Sequence, residues 1–99
     1  MEVRIQSIHF DASEKLEAFI QKKTEKLEKF CDNIKKVEVS LKVVKPETAM
    51  NKEAGVRILA LNAEFYAEKV SDTFEESIDE CVDALSKQLL KAKDKQQGK

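Results

Sequence analysis

From Asp72 onward, apolar residues return at three- and four-residue intervals: Phe74, Ile78, Cys81, Val82, Leu85 and Leu89. No glycine or proline interrupts them. This stripe is the strongest constraint on the chain, because a long amphipathic helix demands a surface broad enough to cover its apolar face. Asp72, with Glu75 three residues on, reads as a D-x-x-E form of the capping box that starts such a helix. The pattern predicts helix to about Lys95, a rod about 35 Å long at about 1.5 Å per residue.

A shorter helical stripe comes earlier, through Leu16, Phe19, Ile20, Leu27, Phe30 and Cys31. Ser13 stands where its side-chain oxygen can cap the first turn. Lys23 and Thr24 interrupt the stripe, and a lysine at its edge can lay its methylenes on apolar surface while its ammonium reaches water. The spacing predicts a helix over 14–31, stopped by the turn chemistry of Asp32 and Asn33.

The surface these helices need is supplied by strands. Val37, Val39, Leu41 and Val43 alternate with Lys36, Glu38, Ser40 and Lys42, a strand with one dry and one wet side. A short strand over 3–8 precedes the first helix. Past a loop from Pro46 to Lys52, strands are predicted over 53–61 and 63–70, joined at Asn62, which tolerates the positive φ of a tight hairpin. The order β-α-β-β-β-α implies an α+β fold, a two-layer sandwich of a four-stranded sheet with two helices on one face. Leu16, Ile20, Leu27, Phe30, Phe74, Ile78, Val82, Leu85 and Leu89 are the expected core, meeting Val37, Val39, Leu41 and Val43.

A chain of 99 residues has room for one such core. Residues 1–95 are expected to form a single domain, with 96–99 a disordered tail. Two glycines and one proline suit a few long elements rather than a many-turned all-β chain. No apolar run approaches the roughly 20 residues of a membrane span, and the N-terminus lacks a signal-peptide layout. Cys31 and Cys81 both fall in helical patterns and are expected to be free thiols, which with the missing leader implies a cytoplasmic location.

Catalysis finds little support. His9 is the one histidine, no nucleophile-and-base pair lies near it, and His9, Cys31 and Cys81 lack zinc-site spacing. Both glycines, Gly55 and Gly98, are isolated, so no phosphate-cradling loop is present. The expectation is a protein that is not an enzyme, with no cofactor, no metal, no small-molecule substrate and no membrane partner.

Charge placement is more informative than the net charge of -1. Between Lys15 and Lys36 the chain carries a net of +3; from Asp72 to Ala84 it has six acids and no base; from Leu85 to Lys99 it carries a net of +4. Helix-dipole complementarity explains acids in a first turn and lysines in a last. It does not require Lys87, Lys91 and Lys95 to recur every four residues, a stripe suited to tracking phosphates. Lys22, Lys26 and Lys29 make a similar stripe on the first helix. With the helices side by side, the two stripes have the opportunity to merge into one basic surface. Charge alone leaves open polyanion binding and a merely solvated face.

The chain resembles the ribosome hibernation-promoting factors, the ribosome-associated inhibitor or sigma-54 modulation family, in their short form. The resemblance rests on Lys26-Leu27-Glu28-Lys29-Phe30, the strand Val37 to Val43, the segment Asp72-Thr73-Phe74-Glu75-Glu76-Ser77-Ile78-Asp79, and Leu85-Ser86-Lys87-Gln88-Leu89 with Lys91-Ala92-Lys93-Asp94-Lys95. It implies a non-catalytic factor of starvation or stationary phase, lying in the tRNA and mRNA channel of the small ribosomal subunit and touching its rRNA. The family's basic positions match Lys23, Lys26 and Lys29 on the first helix, and Lys87, Lys91, Lys93 and Lys95 on the second. With Lys22 from the stripe, these eight lysines are the expected rRNA-binding residues. Ile8 and Ala84 stand where relatives often carry a cation, and Ser7 and Asn62 where they often carry glycine. The competing reading is a protein-interaction module that uses its exposed sheet face or the acidic patch over 72–83.

Overall fold

In this computed structural model, residues 2–8, 10–31, 33–44, 50–61 and 63–97 are described, with side chains to residue 92. Period-two burial in four strands builds the sheet: β1 (Glu2–Ser7), β2 (Ile34–Val43), β3 (Lys52–Ala60) and β4 (Glu64–Ser71). They lie in chain order, with β1 parallel to β2 and the other neighbours antiparallel. Register sets apolar rows across the inner face. Val3, Val37, Ile58 and Phe65 form one row, and Ile5, Val39, Val56 and Ala67 the next.

Two helices cover that face, α1 (Glu14–Glu25) and α2 (Phe74–Gln97), giving the expected α+β sandwich. Leu16, Ile20, Leu27, Ile78, Val82, Leu85 and Leu89 are buried against the strands, as their spacing predicts. Phe30 and Val43 are only half-buried at the rim of the core, and the sequence overrated both. Ser13 caps α1, accepting from the Leu16 amide at 3.1 Å.

Four features depart from the sequence reading. Thr24 does not interrupt the apolar stripe; it is fully buried within it, its hydroxyl donating to the carbonyls of Ile20 (2.9 Å) and Gln21 (3.1 Å). Such back-bonding competes with the helical ladder. One residue after Thr24, past Glu25, the α-helix gives way to a 3₁₀ turn over Lys26–Lys29, so α1 stops well short of residue 31. At α2 the cap is Thr73, whose Oγ1 accepts from the Glu76 amide at 3.1 Å. Asp72 instead accepts from the Met50 amide at 2.8 Å, tying the β2–β3 connection to the helix start. Helix α2 also continues to Gln97, through the first two residues of the expected tail. His9, Asp32, Asn62, Gly98, Lys99 and most of the loop after β2 lie outside the described residues.

Cys81 is buried, its Sγ 3.3 Å from the Ala54 carbonyl and 3.6 Å from that of Ala67, so the thiol spans β3 and β4. Burial pushes its pKa up to about 12. Cys31 is half-buried, and both thiols are free. Gln88 of α2 donates to the Tyr66 carbonyl on edge strand β4 at 3.2 Å. Among the described residues no helix is long and apolar enough to cross a membrane.

Candidate nucleic-acid interface

Burying Leu16, Ile20, Thr24 and Leu27 fixes the rotation of the first helical segment and leaves its lysines on two flanks. On one flank Lys22, Lys26 and Lys29 line an open groove with Val3 of β1, Gln21, Glu25 and Glu28. The stripe expected from spacing is therefore formed. On the other flank Lys23 reaches toward α2. Its Nζ lies 2.8 Å from Asp79 Oδ1 and 5.5 Å from the centre of the Phe19 ring. Lys26 and Lys29 also line a second groove, between the helices, with Lys23, Phe30, Asp79, Glu80, Val82, Asp83 and Ser86.

The direction of the helices decides what meets what. Because β1 and β4 both run parallel to β2, each helix returns along the sheet in the same sense. Ser77 donates to the Lys52 carbonyl at the start of β3, and Gln88 meets β4 further down. The two helices are therefore parallel neighbours. The lysines of α1 and its 3₁₀ turn stand beside the acidic first half of α2, not beside Lys87 and Lys91. The groove between the helices has a basic wall and an acidic wall.

Lys87 and Lys91 are exposed on α2 and do not line that groove. Lys87 Nζ lies 3.3 Å from Asp83 Oδ2, one turn back. Such exposed pairs are worth about 0–1 kcal/mol. Lys22, Lys26, Lys29 and Lys91 carry no ion pair among the described residues. Lys93 and Lys95 fall within α2, but their side chains lie outside the described set. Ala84, where relatives often carry a cation, packs against the core. Ile8 is half-buried, its amide bonded to the Leu41 carbonyl.

Sequence reasoning missed Asp79 and Asp83 as partners of the lysines. The i, i+4 spacing of Asp83 and Lys87 was available as a signal. The Lys23–Asp79 contact depends on the relative direction and rotation of two distant helices, which periodicity does not report.

The outer face of the sheet is a lattice of mixed charge. Arg4, Glu38, Arg57 and Tyr66 form one row, with Lys36 bonded to Glu38 and Arg57 to Glu64. Tyr66 packs beside Arg57 and donates to Glu68, lying over Gly55; a Cβ there would come within 2.7 Å of the tyrosine oxygen. Burial, then the neighbouring Glu68 carboxylate, raises the pKa of Glu53. This face has no basic stripe among the described residues. Among the described residues no group of three or more histidine, cysteine or acidic side chains is placed to hold a metal.

Residues 3–97 match the family described as Sigma 54 modulation protein / S30EA ribosomal protein. Solved structures share the fold, two of them as follows. A ribosomal subunit interface protein from Coxiella burnetii superposes with a TM-score of 0.84 at 20% identity, over 94% of this chain and 98% of that one. The Thermus thermophilus Protein Y N-terminal domain gives a TM-score of 0.79 at 16% identity, over 92% and 98%. A comparison with curated protein sequences finds no match.

Proposed function

Because this chain belongs to the Sigma 54 modulation protein / S30EA ribosomal protein family, we propose that it binds the small ribosomal subunit and fills its tRNA and mRNA channel. The protein acts without catalysis, in the cytoplasm, silencing ribosomes in starvation or stationary phase. The observation that carries this reading is the row of Lys22, Lys26 and Lys29, exposed on one flank and unpaired among the described residues. Ammonium groups repeated at this spacing suit the phosphates of rRNA. The Coxiella burnetii neighbour is described as a subunit interface protein, which fits such a location.

In this reading Lys22, Lys26, Lys29 and Lys91 meet phosphates directly. Lys23 and Lys87 stand behind them, paired with Asp79 and Asp83, and Lys93 and Lys95 extend the contact along α2. The competing module reading relies instead on the acidic patch or the sheet face.

Co-sedimentation with ribosomes at two salt concentrations separates the two. Replacing Lys87, Lys91 and Lys95 with alanine is expected to weaken binding strongly, flattening the slope of log affinity on log salt by about 0.7–0.9 for each lost contact. Thermal stability is expected to move by less than about 1 kcal/mol per site. Unchanged ribosome binding by that variant, with binding abolished by neutralising Glu75, Glu76 and Glu80, would assign the partner to a basic protein surface.

A further inference from the structure

The mechanism proposed above gives the lysines a partner but leaves the carboxylates beside them unused. Asp79 lies against Lys23 at 2.8 Å, and Asp83 against Lys87 at 3.3 Å. Both aspartates, with Glu80, form the acidic wall facing Lys26 and Lys29 across the interhelical groove. The Asp79 and Asp83 side chains are 62% and 70% exposed, so their charges are neither buried nor needed by the core.

We infer that Asp79 and Asp83 are specificity-determining residues, which hold two lysines in reserve and repel any phosphate that enters the groove between the helices. The inference rests on the rRNA reading and adds to it a criterion for which polyanions are accepted. A flexible single strand follows positive potential wherever it leads, and here the groove between the helices would bring its phosphates within reach of three carboxylates, Asp79, Glu80 and Asp83. A folded RNA presents phosphates at fixed points. It can engage Lys22, Lys26 and Lys29 from the outer side, where three lysines outnumber Glu25 and Glu28, and the exposed Lys91, without entering the groove, where three lysines face three acids.

The chemistry is discrimination by repulsion: a like charge costs the wrong partner more than the right one. A uniformly basic protein would bind nucleic acid without discrimination.

The test compares two variants with equal change of charge. Asp79→Asn/Asp83→Asn neutralises the groove wall. Glu75→Gln/Glu76→Gln removes two charges from the first turn of α2; neither residue lines the groove or pairs with a lysine among the described residues. Each is measured against poly(U) and against ribosomes, at two salt concentrations. The groove variant is expected to bind poly(U) about tenfold more tightly at low salt, against about twofold for the control, because Lys23 and Lys87 are freed for phosphate. Its salt slope for poly(U) is expected to steepen by up to about 1.4, at about 0.7 per added single-strand contact. Ribosome affinity is expected to rise by no more than about twofold.

Equal gains for groove and control variants on poly(U) would reduce the effect to net charge and overturn the inference. So would a gain on ribosomes as large as that on poly(U). Failure of the unaltered protein to bind ribosomes would sink the rRNA reading instead, while the poly(U) comparison would still read the role of the wall.

Discussion

The two faces of the sheet are made from the same four strands and hold together by different physics. On the inner face, rows such as Val37–Ile58–Phe65 and Val39–Val56–Ala67 meet helices whose contact residues are almost completely dry. On the outer face, Arg57 bridges to Glu64 and packs on Tyr66, while Tyr66 and Val70 stay exposed. Inner-face energy scales with buried area and with the cavity left by deletion; outer-face energy comes from pairs screened by water. The difference shows that a two-layer sandwich gains its stability on one side and leaves the other free to vary.

The largest effect that would break this contrast lies in the core. Leu85→Ala, at a fully buried position, is expected to cost about 2–5 kcal/mol in denaturant unfolding, whereas Val70→Ala on the outer face should cost less than about 1 kcal/mol. Comparable losses at the two sites would mean that the outer face is covered in solution.

A smaller effect comes from the thiol between β3 and β4. Cys81 titrates at about 12 in the fold against 9.0 for its ordinary value, so the folded state holds this proton more tightly. Its stabilising contribution is full below about pH 9 and is lost as pH climbs toward about 12. Melting curves from pH 8 to 11 are expected to fall more steeply for the unaltered protein than for Cys81→Ala, and parallel curves would refute the burial argument. Below pH 9 a thiol reagent should reach half-buried Cys31 well before Cys81.

The smallest effect is on the outer face. Glu53 has a raised pKa because of burial and its neighbour Glu68, so its ionisation works against the fold. Glu53→Gln is expected to stabilise by about 0.2–1 kcal/mol at pH 7, the scale of a like-charge pair across strands. The gain should vanish below the unfolded carboxyl pKa, where Glu53 is protonated in both states. A gain that persists at acid pH would point to packing instead of charge.

Inner-face order was legible because a two-residue period and a three-to-four residue period leave little choice of face. Val37, Val39 and Leu41 on β2, and Ile78, Val82, Leu85 and Leu89 on α2, follow directly from it. Thr24 was misread because a hydroxyl counts as polar in a pattern, although it can satisfy itself on the helix backbone and then pack as an apolar group. Thr73 and Asp72 were misread because two adjacent residues can each cap, and only the position of the Met50 amide decides between them. At the candidate site, the row of Lys22, Lys26 and Lys29 was legible from spacing within one element. Asp79 beside Lys23 was not, since it depends on two helices running in the same direction.

The bond from Gln88 to the Tyr66 carbonyl bears on how such a sheet could ever grow. Indefinite addition of chains needs two free ends, one to receive and one to offer. Here a helix side chain holds one carbonyl of β4, that of Tyr66, while β1 pairs only with β2 among the described residues. If strand exchange between copies begins, β1 can meet β1 of another molecule, and the product then has β4 at both outer edges. Growth beyond two then has to displace the Gln88 side chain from that carbonyl at each outer edge.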